Sequence, residues 1–215
     1  MAATLPLAEQ FDRPEQQRRA AYLGMWLFLA TEAMTFGGLF LVILFYRFAH
    51  PAGVQAAVQE FHAWLAGLNS VVLLTSSLTM SLALVAAKAG ERRRLSVLLG
   101  LTAALGVAFL AIKGGEYFLE YRDGLMPHLG VRPFPLADPA SRLFVDLYFV
   151  ATGLHALHLS VGILAVLLFM TRVRRGGLPL PARLVVFEMA GLYWHFVDMV
   201  WIFLYPALYL LGRNA

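Results

Sequence analysis

Five continuous apolar stretches dominate the chain, separated by short polar segments. They run from about Tyr22 to Phe48, Trp64 to Ala87, Leu95 to Tyr121, Leu143 to Thr171 and Leu184 to Leu211. A helix needs ~20 apolar residues to cross ~30 Å of hydrocarbon, and each stretch meets that length. None alternates apolar and polar positions over ~10 residues, as a barrel strand does. The stretches are apolar all round, which suits helices that face lipid and one another rather than water. The pattern predicts an all-α membrane protein. It has a polar tail over 1–21, one five-helix bundle over 22–212 and a short end at 213–215. That leaves no room for an appended soluble domain.

Composition supports this reading. Of 215 residues, 60% are hydrophobic and 14% charged. A soluble domain carries roughly 45–50% apolar and about 25% charged residues, so this chain lacks the charge to cover a globule. It is also far too apolar for a solvated coil. Cysteine is absent, which excludes disulfides, thiol nucleophiles, thiolate metal sites and a thiolate copper centre. The tail carries Glu9, Asp12 and Glu15. The apolar run behind it is too long for the core of a secretory signal.

Charge then gives an orientation. The net formal charge is +4. Eleven basic residues fall on one side: Arg13, Arg18 and Arg19; Lys88, Arg92, Arg93 and Arg94; Arg172, Arg174, Arg175 and Arg183. Five fall on the other: Arg47, Arg122, Arg132, Arg142 and Arg213. The positive-inside rule places the N-terminus in the cytoplasm and the C-terminus outside. The basic excess therefore reads as a topology signal, not as a surface for nucleic acid. The outer loop from Arg122 to Ser141 is rich in Gly and Pro and reads as an ordered cap or a docking loop.

An ionisable side chain at bilayer depth costs ~2.5–3.5 kcal/mol on insertion scales and needs a reason. Asp198 and His155 fall near the midplanes of their spans, and Glu32 falls slightly to the cytoplasmic side. His195 and Asp198 are three apart and share one helix face, as do His155 and His158. If those faces meet, they form one buried polar cluster. Haem ligation would need His195 opposed to His155 or His158, because two histidines three apart point the same way. A His–His–Asp metal set and plain interhelical hydrogen bonding are the other readings. Glu32 has no basic residue near it in sequence. It reads either as a proton-relay member or as a protonated hydrogen-bonding spacer. Lys113 and Glu116, also three apart, read as an ion pair near the interface. The hydroxyls of the second span, the Gly37-Gly38 pair and Gly153 read as helix-packing positions. Pro206 is expected to kink the end of the last span.

Several segments carry a family resemblance. Tyr193-Trp194-His195-Phe196-Val197-Asp198-Met199-Val200-Trp201 and Phe149-Val150-Ala151-Thr152-Gly153-Leu154-His155-Ala156-Leu157-His158 are the most specific. Leu68-Asn69-Ser70-Val71-Val72-Leu73-Leu74, Glu116-Tyr117 and Leu27-Phe28-Leu29-Ala30-Thr31-Glu32 add to them. In this order, across all five spans, the chain resembles subunit III of the haem–copper oxidases, in a five-helix form lacking the first two helices of longer members.

The resemblance implies a component of aerobic respiration in a bacterial inner membrane. It implies a subunit that binds no haem or copper itself, with those groups held by partner subunits. It implies packing against subunit I in a complex with subunit II, bound phospholipids, and support of proton uptake and turnover lifetime. By match, Glu32 is the carbodiimide-reactive position, and His155, His158, Glu188, His195 and Asp198 form a buried polar network. Arg172, Arg174 and Arg175 are candidates for lipid headgroups. Two other settings stay open: a related component of a quinol oxidase or of a nitric oxide reductase, the latter suggested by Ala49-His50-Pro51 and by Lys113 ahead of Glu116-Tyr117, and a small stand-alone transporter.

Overall fold

The computed structural model describes residues 9–126, 135–136, 138–177 and 184–211. Six helices follow in order: α1 (Pro14–Ala49), α2 (Pro51–Glu60), α3 (Ala63–Lys88), α4 (Arg92–Arg122), α5 (Pro139–Arg174) and α6 (Leu184–Tyr205). A π-helical turn, Pro206–Leu210, continues α6. All but α2 are long and apolar enough to cross a membrane, which makes five spans.

Prolines set several boundaries. Pro14, Pro51 and Pro139 each stand in the first turn of a helix, where a missing N–H costs nothing. Pro51 also disfavours helical backbone at His50. α1 therefore stops at Ala49, and His50 takes φ −133° and ψ 57°. Asp138 caps α5 by accepting from the Ser141 N–H at 3.2 Å. At the other end of the bundle, Gly90 (φ +73°) closes α3. Its N–H donates to Ala87 O at 3.2 Å, and Glu91 N–H donates to Ala86 O at 3.0 Å, a left-handed glycine closure that turns the chain straight into α4.

One expectation changes, and two elements are extended. α1 starts at Pro14, ahead of the apolar stretch that begins near Tyr22, because Pro14 and the acidic Glu15 favour a helical first turn. The segment after α1 is the helix α2, which buries Val54, Ala57 and Val58. The close-approach glycines are not the expected ones. A Cβ on Gly37 or Gly38 would meet nothing within 4 Å, and one on Gly153 only ordinary contact, whereas one on Gly106 would lie 2.9 Å from Ile163 and 3.0 Å from Trp194. Gly106 and Gly162 leave room for the Trp194 ring, which is buried between α4, α5 and α6. Much of the outer loop lies outside the described residues.

The core is a stack of buried residues drawn mostly from α3, α4, α5 and α6, joined by Phe36 and Ile43 of α1, by α2 and by the π turn. Hydroxyls bind it across helices. Trp194 Nε1–H donates to Ser76 Oγ at 3.1 Å, and Trp201 Nε1–H donates to Ser70 Oγ at 3.0 Å. Thr79 and Thr102 share a hydrogen bond of 2.8 Å. Pro206 changes the winding of the last span instead of ending it: the π turn brings Tyr209 into the core, and Arg47 Nε donates to the Ala207 carbonyl at 2.6 Å.

Candidate functional site

The polar residues singled out in the sequence separate into distinct places. Glu32 on α1 meets His158 on α5, with Glu32 Oε2 at 2.9 Å from His158 Nε2. The other ring nitrogen, Nδ1, lies 2.9 Å from the Leu154 carbonyl oxygen. The edge of the Phe36 ring covers the imidazole at 5.1 Å between centroids. Tyr193 on α6 donates its hydroxyl to the His158 carbonyl at 2.9 Å. The pair is not sealed: the side chains keep 20% exposure at Glu32 and 14% at His158.

His195 is held elsewhere, on the face of α6 toward α3. Its Nδ1 lies 2.7 Å from Ser77 Oγ and its Nε2 3.3 Å from Ser81 Oγ. Asp198 is buried one turn on, and neither carboxylate oxygen completes a hydrogen bond among the described residues. Ser77 lies beside it, with its hydroxyl engaged by His195. His155 is fully buried between Phe109 and Trp201, with ring centroids 5.5 and 5.1 Å away. Neither of its nitrogens has a partner among the described residues. Glu188 lies near the basic end, where it accepts from the Tyr22 hydroxyl and stands 3.7 Å from Arg18. Arg172, Arg174 and Arg175 end α5 in exposed positions, and Arg174 Nε donates to Ser96 Oγ at 2.7 Å.

A second polar centre lies inside α4, α5 and the π turn. Lys113 Nζ donates to Glu116 Oε2 at 3.0 Å, Tyr148 Oη at 2.8 Å and Tyr209 Oη at 2.6 Å. Tyr209 donates on to Glu116 Oε1 at 2.8 Å, and Tyr148 to Glu120 Oε1 at 2.5 Å. All five side chains are buried. The expected Lys113–Glu116 ion pair forms, with both side chains buried among α4, α5 and the π turn.

A family model described as cytochrome c oxidase subunit III matches residues 13–213. The chain belongs to that family. Subunit 3 of the Synechocystis sp. cytochrome c oxidase is 36% identical over 188 residues, covering 87% of this chain and 74% of the relative. Subunit 3 of the cytochrome bo(3) ubiquinol oxidase of Pseudomonas aeruginosa is 30% identical over 191 residues, 88% of this chain and 84% of the relative. The haem–copper oxidase subunit I+III of Aeropyrum pernix is 30% identical over 217 residues, which is 94% of this chain and 24% of that longer protein. This subunit III is a multi-pass membrane component of a bacterial haem–copper respiratory oxidase.

In subunit III the expected single network of His155, His158, Glu188, His195 and Asp198 is not connected. Helix periodicity put His155 and His158 on one side of α5, yet the three-residue offset turns His158 toward α1 and His155 inward toward α4 and α6. Glu32, read as solitary, is the residue that His158 meets. Among the described residues no group of three or more His, Asp or Glu side chains comes together as a metal would require. The sequence reading missed Glu120 and the two tyrosines around Lys113. Positions 113, 116 and 120 follow the i, i+3, i+7 stripe of one helix face, a signal that was available for the carboxylates but not for Tyr148 or Tyr209.

Proposed function

We propose that this subunit III is a redox-silent accessory of its oxidase. It packs on subunit I, holds phospholipid and supports proton uptake and turnover lifetime, while haem and copper belong to its partners. Glu32 is the residue linked to the proton path. The observation behind this reading is the Glu32–His158 pair, two ionisable groups that meet within the spans and keep part of their surface exposed. The Aeropyrum pernix relative, whose name joins subunits I and III in one chain, supports subunit I as the neighbour. Arg172, Arg174 and Arg175 form a basic rim suited to lipid phosphates. The bias of basic residues supports an N-terminus in the cytoplasm.

The test is the intact detergent-solubilised oxidase with Glu32→Gln. Haem content should match the parent, while activity should decay in fewer turnovers. An unchanged turnover lifetime refutes the role of Glu32. The electron donor is cytochrome c in our reading; the ubiquinol oxidase relative favours a quinol as the second. Oxygen consumption by the same preparation with reduced cytochrome c or with a quinol decides between them.

A further inference from the structure

The Glu32–His158 contact is constrained by the backbone next to it. Nδ1 of His158 faces the Leu154 carbonyl oxygen at 2.9 Å, and Nε2 faces Glu32 Oε2 at 2.9 Å. A carbonyl oxygen only accepts, so the first contact requires a hydrogen on Nδ1. In a neutral imidazole Nε2 then presents its lone pair. An ionised carboxylate also only accepts. Two lone pairs would face each other unless one further proton lies between them.

We infer that Glu32 and His158 form one proton-binding dyad, with a single proton held between Glu32 Oε2 and His158 Nε2. The proton has two positions. On oxygen, the pair is a carboxylic acid and a neutral imidazole. On nitrogen, it is a carboxylate and an imidazolium. Crossing breaks one O–H bond and forms one N–H bond, and the net charge stays zero. A neutral unit is far cheaper at bilayer depth than a lone carboxylate. Removing that proton would leave two lone pairs facing each other and the pair at −1.

The surroundings fit this assignment. Among the described residues, Tyr193 on α6 and His155 on α5 are titratable groups that interact with the pair. The Tyr193 hydroxyl is spent on the His158 main-chain carbonyl, and neither His155 nitrogen bonds to the dyad. Phe36 covers one side of the imidazole and orients it. Glu32 keeps 20% of its side chain exposed, so the described residues do not seal the dyad. The dyad stands on geometry, and its place in function rests on the proposed role of Glu32.

Nitrogen NMR of the intact oxidase, labelled at histidine nitrogens, tests it. The His158 signals are those lost in His158→Gln. Nδ1 should carry hydrogen, with Nε2 either accepting a strong hydrogen bond or also protonated. A neutral ring with hydrogen on Nε2 and none on Nδ1 overturns the dyad. Infrared spectra supply a second arm. The carboxyl feature lost in Glu32→Gln should move to higher wavenumber in His158→Leu, which removes the acceptor; an unmoved feature also overturns the inference. Should His158→Leu fail to assemble, the tautomer measured in the parent decides alone. A correct tautomer with unchanged turnover lifetime in Glu32→Gln keeps the dyad and removes its proposed role. A wrong tautomer with shortened lifetime does the opposite.

Discussion

Two polar centres in this bundle are built in opposite ways. The Lys113 centre is enclosed: α4 buries ten residues, among them Lys113, Glu116 and Glu120. The Glu32–His158 centre is bordered by α1, which buries only Leu29, Phe36 and Ile43, each seven residues from the next. The spanning window of α1 is 17% buried, against 39% for the spans containing α3, α4 and α6. An enclosed charged group must find its partners within the chain, because stripping it of water without pairing costs several kcal/mol. Lys113 does so, with all three ammonium hydrogens placed on named oxygens. A centre on a loosely packed edge can stay incomplete and exchange with what lies outside. The enclosed centre therefore fastens the π turn to α4 and α5, whereas the open one joins only α1 to α5 and keeps part of its surface exposed.

Removing the ammonium from the enclosed centre should produce the largest effect. Lys113→Met leaves Glu116 and Glu120 buried without their cation, and breaking a buried pair from one side costs about 3–5 kcal/mol. Thermal unfolding of the solubilised oxidase should show a lower midpoint for this subunit. The double change Lys113→Met with Glu116→Gln should recover part of the loss. A single variant as stable as the parent would mean that the centre is not enclosed.

The glycines sharpen the same contrast. Gly106→Ala drives a Cβ to 2.9 Å from Ile163 and 3.0 Å from Trp194, and overpacking of this kind costs about 1–3 kcal/mol. Gly37→Ala meets open space. It should leave the stability of this chain unchanged or raise it by up to about 1 kcal/mol through helix propensity. Both are read from the unfolding midpoint. If Gly37→Ala instead releases the partner subunits during purification, the open flank of α1 is their docking face.

The contrast also explains how much could be read from the sequence. All five spans were legible, since apolar runs bounded by Pro, Gly and basic clusters are local signals. The ten-residue α2 was not: it is too short to show as a span, and Pro51 alone marks its start. The candidate site was legible as a list of residues but not as pairs. Glu32 and His158 are 126 positions apart, and Lys113 and Tyr209 are 96 apart. Such contacts depend on how each helix is rotated in the bundle, which a hydropathy pattern leaves open when a helix is apolar all round. The expected meeting of the His155–His158 face with the His195–Asp198 face failed for that reason.

The smallest stability effect is expected at the open centre, where the functional effect should be clearest. In Glu32→Gln the new amide can still donate to His158 Nε2, and the position is partly exposed. The unfolding midpoint should shift by no more than about 0.5 kcal/mol equivalent, as for substitutions outside an enclosed core. The amide cannot hold or pass a proton, so the dyad becomes a fixed hydrogen bond. Turnover lifetime should then shorten while stability does not change. The enclosed centre should behave the other way: Tyr209→Phe removes one hydrogen bond to Glu116 and one to Lys113 and should lower the midpoint. For each intact oxidase that assembles, its lifetime per unit of lost stability should be longer than that of Glu32→Gln. If the two variants lose lifetime in proportion to lost stability, the open flank has no role of its own, and the difference between the centres is one of packing alone.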